Sequence, residues 1–112
     1  MTNNYTYWEE KSSLSQVRVA PACGLIENFA TGQEEVIVAG GSNGQGYLQS
    51  VEVYCVPDDS WRSGTPLPHG IGFPSYLPFE DSFIIIGGRH SSPLDTIYKV
   101  CNILFGSITH NK

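Results

Sequence analysis

The chain has 112 residues and a formal net charge of −5, from 6 Lys and Arg against 11 Asp and Glu. No segment concentrates the basic residues, so the composition excludes the electrostatic surface that nucleic acid or an anionic membrane requires. The first twenty residues hold no apolar core behind a positive flank, and no apolar run is long enough to span a membrane. The three cysteines, Cys23, Cys55 and Cys101, form no C-x-x-C pair, which predicts buried free thiols on strands in a reducing, cytoplasmic compartment.

The pattern of apolar and turn residues predicts short β-strands and no helix. No window places apolar residues at helical spacing, and 12 Gly and 7 Pro interrupt the chain every few positions. Tyr7–Glu9 is the first predicted strand. A group of four follows, and then a group of three: Ala22–Glu27, Glu35–Ala39, Ser50–Tyr54 and Ser60–Ser63, then Phe73–Leu77, Ser82–Ile86 and Thr96–Val100.

The second group of strands nearly repeats the first. Val36–Gly41 returns as Phe83–Gly88, and residues 41 and 88 are 47 positions apart. A repeat of about 40 to 50 residues with four short strands is typical of a β-propeller blade, and a closed propeller has about four to eight blades. The chain supplies only about two such units, so we expect it to be part of a propeller. The predicted division is the last strand of a preceding blade at 1–17, a complete blade at 18–67, a partial second blade at 68–100 and a non-repeat tail at 101–112.

Three features of the first unit carry a family resemblance. They are the double glycine Gly40-Gly41 after an aliphatic strand, the strand Val51–Tyr54, and Trp61; the second unit keeps Gly87-Gly88 but lacks the tryptophan. Together they resemble the kelch repeat. The resemblance implies an all-β fold of four-stranded antiparallel kelch blades, forming a partial β-propeller of about two blades. In such a fold the glycines accept positive φ, and Tyr54 and Trp61 fill the space between adjacent blades.

The loops that follow the double glycines are the expected recognition surface, because loops on a rigid scaffold commonly carry binding residues. Arg, Tyr and His are also frequent contact residues at interfaces. The candidate partner-binding residues are Ser42, Asn43, Gln45 and Tyr47 in the first of these loops and Arg89, His90 and Ser91 in the second.

No catalytic residue, cofactor or metal ion is expected. The glycine-rich stretch Gly41–Gly46 lacks the Lys-Ser/Thr ending and the following helix of a phosphate-binding loop. His69, His90 and His110 lie in predicted loops or the tail, and none is paired at ligand spacing with another His or with Cys. Surface histidine is therefore the favoured interpretation. No serine has the flanking glycines or the base of a nucleophile.

By the same resemblance we expect a non-catalytic protein–protein interaction module. In kelch proteins the commonest intracellular role is recognition of a protein substrate for a cullin-based ubiquitin ligase, and the resemblance favours that adaptor role. An actin-associated cytoskeletal kelch protein is the alternative, and a fragment of a galactose-oxidase-like kelch enzyme is a third, less favoured reading. The expected partners are proteins, together with the remaining blades of a longer parent or a second copy of the chain.

Overall fold

The computed structural model describes residues 5–101, and within that range the fold is all-β, with no helix. Seven strands follow one another along the chain: β1 (Ala22–Asn28), β2 (Gln33–Ala39), β3 (Val51–Cys55), β4 (Ser60–Ser63), β5 (Ser75–Phe79), β6 (Ser82–Ile86) and β7 (Ile97–Lys99). The predicted bounds of β4 and β6 agree with the structure, and those of the other strands differ by one or two residues at an end.

The strands form two antiparallel sheets that follow the order of the sequence. The first sheet has the order β1-β2-β3-β4, and the second has the order β5-β6-β7. In the first sheet Ile37 lies opposite Gly24 and Val53, and in the second Ile84 lies opposite Leu77. Within each sheet, every strand therefore pairs with the next one along the chain. The prediction of an all-β fold with antiparallel, blade-like sheets is confirmed.

The core lies between the two sheets. Successive residues of a strand point to opposite faces, and the core face of the first sheet carries Ile26 and Ile37. Phe83 and Ile85 of the second sheet, each 2% exposed, belong to the same buried cluster. The Phe83 ring packs directly on β1 because Gly24 has no side chain: a Cβ there would lie 2.7 Å from Phe83 Cδ1. The two sheets are therefore packed neighbours.

The segment that leads into β1 is held on the opposite face of the first sheet by a buried ion pair. The fully buried Arg18 side chain donates to the carbonyl oxygens of Gly40 and Ser50, and its Nη2 lies 3.0 Å from Glu52 Oε2. The Ser15 N–H donates to Glu52 Oε1 at 2.9 Å. Burial by itself raises the pKa of Glu52, but the hydrogen bonds from Ser15 and Arg18 outweigh it and hold that pKa below its ordinary value. The ion pair thus fixes the segment to β3.

A second ion pair joins β2 to β4 across β3. Arg62 donates through Nη2 and Nη1 to the two carboxylate oxygens of Glu35, at 2.8 and 2.9 Å. The Glu35 side chain is buried, whereas half of the Arg62 side chain is exposed. Hydrogen bonding from the guanidinium lowers the pKa of Glu35, and the same bond raises the pKa of Arg62. The pair therefore links β2 to β4 over the intervening strand β3.

The outer face of the second sheet is apolar and exposed. Leu77, Phe79 and Ile97 are 45%, 44% and 64% exposed, and they share this face with the half-buried Ile84 and Ile86. Under the repeat, this face corresponds to the core face of the first sheet. Apolar surface of this kind is suited to further packing.

Two strand predictions need correction. Tyr7–Glu9 forms no strand, and Trp8 is fully exposed. A strand needs a partner for its backbone N–H and C=O groups, and none of the seven strands pairs with these residues. The predicted strand that starts at Phe73 begins instead at Ser75, because Phe73 has a φ of +51° and Pro74 has no N–H for the ladder.

The cysteines are free, but the prediction that they are buried was wrong. Cys23 and Cys101 are exposed and Cys55 is half-buried. Cys23 lies on the face of β1 that points away from the core, and Cys101 lies beyond the end of β7. The division of the chain into a preceding strand, a complete blade, a partial blade and a tail stays a prediction, and of the tail at 101–112 only Cys101 is among the described residues.

Candidate functional site

Both double glycines have the same backbone conformation. The φ angles are +71° at Gly40 and +97° at Gly41, and +67° at Gly87 and +97° at Gly88. Glycine adopts this left-handed region without steric cost, unlike residues with a Cβ. Space is restricted as well, since a Cβ on Gly41 would lie 2.7 Å from the carbonyl oxygen of Val19. The repeat in the sequence is therefore also a repeat in backbone geometry.

Each double glycine leads into a loop, and we name these the first loop and the second loop: residues 42–50 and residues 89–96. The two loops are closed by equivalent hydrogen bonds. The Leu48 N–H donates to the carbonyl oxygen of Gly41 at 2.8 Å, and the Leu94 N–H donates to that of Gly88 at 2.9 Å. The two loops therefore leave their sheets in the same way.

Two of the candidate residues in the first loop determine the shape of the loop itself. Ser42 Oγ accepts a hydrogen bond from the Gly44 N–H at 3.1 Å, and Asn43 Oδ1 accepts from the N–H groups of Gln45 and Gly46 at 2.9 and 3.0 Å. Such local bonds are typical of Ser and Asn in tight turns. The exposed Gln45 side chain is carried on this ordered turn.

The first and second loops are opposite walls of a cleft of about 520 Å³. The lining residues come from the first loop, the segment before β5 and the second loop: Ser42, Gly44, Gln45, Gly46 and Tyr47, then Phe73, then His90 and Ser91. Five of the seven candidate residues therefore meet at one place, and Asn43 and Arg89 do not line it. Hydroxyl, amide, imidazole and aromatic groups line the cleft, which suits hydrogen bonding combined with apolar contact.

Two aromatic rings line the cleft. Tyr47 and Phe73 meet edge to face, with ring centroids 6.1 Å apart. The Tyr47 ring lies so close to Gly72 that no side chain would fit there. Phe73 was missed as a site residue because it had been assigned to a strand. The available signal was its place between Gly72 and Pro74, since Gly and Pro close together mark a turn.

Three candidate residues lie in the second loop and differ in their surroundings. Arg89 is exposed, and its backbone exchanges hydrogen bonds with Gly72 at 2.8 and 2.7 Å. Ser91 is exposed in the cleft wall. His90 also lines the cleft, and its N–H donates to the carbonyl oxygen of Ser92 at 3.1 Å. The backbone of the second loop is therefore anchored to Gly72, and Arg89 and Ser91 are exposed on it.

The fold brings two histidines together that are separate in the sequence. The rings of His69 and His90 have centroids 5.1 Å apart, and Tyr98 Oη lies 3.3 Å from His69 Nε2. The expectation that no histidine is paired with another rested on spacing along the chain, and these two residues are 21 positions apart. The third, His110, lies outside the described residues.

Tyr54 and Trp61 form a tilted aromatic pair on the face of the first sheet that is turned away from the core. Their ring centroids are 4.9 Å apart. Tyr54 Oη donates to Asp59 Oδ1 at 2.6 Å, and Trp61 Nε1–H donates to the carbonyl oxygen of Ser12 at 2.7 Å. The hydrogen bond to Asp59 raises the pKa of Tyr54 to about 12 and lowers that of Asp59. The pair therefore packs under the amino-terminal segment and not against the second sheet.

Within residues 5–101, no three side chains of the types His, Cys, Asp and Glu gather as a metal site. The described part of the chain also contains no helix with the length and apolar character that a membrane crossing requires. The cleft between the two loops, which five of the candidate residues line, is the candidate binding site.

Comparison with known protein families matches residues 28–68 to the kelch motif. The matched range contains β2, β3 and β4, the first double glycine and the whole first loop. Comparison with curated proteins found no match. The motif match, the repeated double glycines and the two antiparallel sheets together support a kelch-repeat fold, and kelch repeats generally mediate protein–protein interaction.

Proposed function

We propose that the chain binds a protein partner in the cleft between the first and second loops, without catalysis, as the substrate-recognition part of a cullin-based ubiquitin ligase. The observation that supports the binding site is that the cleft is lined by both loops. The rings of Tyr47 and Phe73 offer apolar anchors, and Gln45 and Ser91 offer exposed hydrogen-bonding groups beside them. The adaptor role itself rests on analogy with other kelch proteins.

The cytoplasm is the proposed location. The support is that Cys23, Cys55 and Cys101 are all free, as thiols are in a reducing compartment.

The exposed outer face of the second sheet is the proposed docking place for a further kelch-type sheet. It is equivalent by the repeat to the face on which the first sheet packs against the second. When the chain is expressed by itself, a second copy is the available source of such a sheet, so we propose concentration-dependent self-association. Light scattering during size-exclusion chromatography measures it, and replacing Ile97 by Glu is expected to shift the chain towards the monomer. A monomer at every concentration contradicts this part of the proposal.

Proximity labelling in cells tests the cleft. A variant that carries Gln45→Arg and Ser91→Arg places bulky charged groups in both walls, whereas Val56→Arg adds the same group at the opposite end of β3. We expect a set of proteins whose labelling falls at least tenfold with the cleft variant and is unchanged with Val56→Arg. Equal labelling by all three chains contradicts the cleft as the binding site.

The same labelled proteins distinguish the three functions. For an adaptor, their ubiquitination decreases when cullin ligase activity is inhibited. Co-sedimentation of the purified chain with filamentous actin, lost in the cleft variant, supports the cytoskeletal alternative instead. Oxidation of primary alcohols by the purified chain supports the galactose-oxidase-like alternative and contradicts a purely binding role.

A further inference from the structure

The second sheet ends in a strand edge that has no partner among residues 5–101. In the first sheet β4 pairs with β3, whereas β7, which corresponds to β3 in the repeat, pairs with β6 alone. An open edge presents backbone N–H and C=O groups to any extended segment that reaches it. Within the described range, the second sheet therefore lacks the strand that would correspond to β4.

Residues 7–10, which we name the donor segment, resemble β4 in sequence and pair with none of the seven strands. Trp8 precedes Leu14 by six positions, as Trp61 of β4 precedes Leu67 by six. Trp61 packs on an aromatic neighbour in β3, whereas the Trp8 side chain is fully exposed. Because tryptophan is enriched in protein interfaces, Trp8 is suited to packing against a second molecule.

The donor segment lies on the side of the first sheet that is away from β7 of its own chain. The residues after it are anchored there, because Ser12 donates through its N–H and its hydroxyl to Asp59 at 2.9 and 2.8 Å and accepts from Trp61 Nε1–H at 2.7 Å. Glu9 lies near enough to Tyr54 to contribute to the raised pKa of that hydroxyl. The first sheet therefore stands between the donor segment and β7 of the same chain, and the available acceptor is β7 of a second copy.

We propose that copies of the chain associate head to tail, with the donor segment of one copy paired antiparallel to β7 of an acceptor copy as the fourth strand of its second sheet. The first sheet of the donor copy then lies against the outer face of that second sheet. The inference rests on the proposed self-association, and it adds which surfaces of the two copies meet. Each copy donates one strand and accepts one, so the contact is heterologous.

The repeat identifies the residue that Trp8 meets in the acceptor copy. In the first sheet Val36 lies opposite Tyr54, and Tyr54 lies opposite the tryptophan of β4. In the second sheet Phe83 is the counterpart of Val36, and its carbonyl oxygen accepts a hydrogen bond from the Val100 N–H at 3.3 Å. Val100 therefore stands in the place of Tyr54, so Trp8 is placed opposite Val100.

The same register brings opposite charges together. Antiparallel pairing puts the residue after Trp8 opposite the residue before Val100, so Glu9 faces Lys99. Opposite charges directly across two strands stabilise the pairing. Both side chains are partly exposed in the single chain, where Lys99 Nζ lies 2.6 Å from the Glu80 carboxylate. Lys99 therefore has carboxylates on two sides in the assembly.

The sizes of the side chains also fit this arrangement. Within one chain, Gly24 of the first sheet makes room for the ring of Phe83 of the second. Between copies their counterparts meet: Leu77 lies on the outer face of the acceptor copy, and the half-buried Val36 lies on the face of the first sheet that also carries Tyr54. The larger residue is on the other side of the contact, so Leu77 fills the space beside the smaller Val36.

Disulfide trapping between two different full-length chains tests the register. The three native cysteines are replaced by Ser in both chains, and one chain then carries Glu9→Cys while the other carries Lys99→Cys. Residues directly opposite in an antiparallel pair have Cα atoms about 4.5 to 5.5 Å apart, which is within reach of a disulfide. On oxidation we expect a mixed dimer at a yield at least fivefold above that of the matched control. The control uses Glu10→Cys instead of Glu9→Cys, because adjacent residues of a strand point to opposite faces.

Light scattering over a range of concentrations gives a second readout. Trp8→Ser is expected to weaken self-association at least tenfold, because the donated strand loses its aromatic anchor. The matched control is Tyr5→Ser, since Tyr5 is 80% exposed and lies outside the donor segment, and it is expected to leave self-association unchanged. Self-association without the mixed disulfide, or equal effects of the two substitutions, overturns the head-to-tail proposal and leaves docking on the outer face standing. A monomer at every concentration overturns both.

Discussion

The contact of Gly24 with Phe83 predicts that a single methyl group on β1 destabilises the packing of the two sheets. In Gly24→Ala the new Cβ lies 2.7 Å from Phe83 Cδ1 and 2.8 Å from Cγ, whereas carbon atoms pack best at about 3.5 to 4.0 Å. The ring, 2% exposed, must move within a filled core. Overpacking of this kind costs about 1 to 3 kcal/mol. Removing a glycine from a strand returns about 0.5 to 1 kcal/mol, so a net loss of up to about 2.5 kcal/mol is expected.

The effect of Gly24→Ala on the free energy of unfolding is expected to change sign when the Phe83 ring is absent. Phe83→Ala alone leaves a cavity and costs about 3 to 5 kcal/mol. In that background the Cβ at position 24 meets no ring, so only the backbone effect of about 0.5 to 1 kcal/mol in favour of Ala remains. The double variant is then more stable than Phe83→Ala. The interaction between the two positions in a double-mutant cycle is expected to be about 1 to 3 kcal/mol.

Urea unfolding followed by circular dichroism, at low protein concentration, measures the four free energies of unfolding. Gly46→Ala is the matched control, because no atom lies within 4 Å of a Cβ at that position. It is expected to cause no loss of stability and to raise the free energy of unfolding by about 0.4 to 1 kcal/mol through the backbone effect alone. If Gly24→Ala lowers the free energy of unfolding by the same amount with and without the Phe83 ring, the proposed contact between the sheets is refuted.

Two further predictions concern the other face of the first sheet. Arg18→Met leaves the Glu52 carboxylate buried without its cation and is expected to cost about 3 to 5 kcal/mol of unfolding free energy. The double variant Arg18→Met and Glu52→Leu is expected to recover much of this loss. Equal losses in the single and double variants contradict a stabilising role of the ion pair. The pKa values of Glu52 and Asp59 are lowered in the folded state. The stability that the two ionised carboxylates contribute is therefore complete at a pH above their ordinary pKa values of 4.5 and 3.8, and it is lost as the pH falls below those values. Tyr54 has a raised pKa, so its contribution is lost as the pH rises from 10 to about 12. In Tyr54→Phe the loss of stability over this range, measured by urea unfolding, is expected to become smaller but to remain in part, because the pKa values of Tyr76 and Lys99 are also raised. An unchanged loss contradicts the assignment.

The strands and the repeat could be predicted because they depend on local patterns. Apolar runs such as Val36–Val38 and Ile84–Ile86, each leading into a double glycine, indicate strands through the identity of their own residues and neighbours. The double glycines mark positions of positive φ for the same local reason. The places of the two loops could be predicted for the same reason, because a loop on a repeated scaffold recurs at a repeated place.

The features that the sequence did not reveal all depend on contacts between distant residues. The Arg18–Glu52 ion pair spans 34 positions, and the imidazole pair of His69 and His90 spans 21. Neither spacing has a period that indicates a contact. Tyr7–Glu9 failed as a strand for a related reason: its alternation is compatible with a strand, but pairing requires a neighbour that no local pattern supplies.

The register of the two sheets also restricts what can pack on the outer face of the second sheet. Gly24 lies opposite Ile37, and Leu77 lies opposite Ile84, which is the counterpart of Ile37 in the 47-residue repeat. Leu77 therefore stands where Gly24 stands in the first sheet. Gly24 makes room for the ring of Phe83, whereas the Leu77 side chain, 45% exposed, occupies the equivalent space. A sheet that docks on this face must thus carry a smaller residue at the place corresponding to Phe83, so the two interfaces are alike in topology and different in their packing.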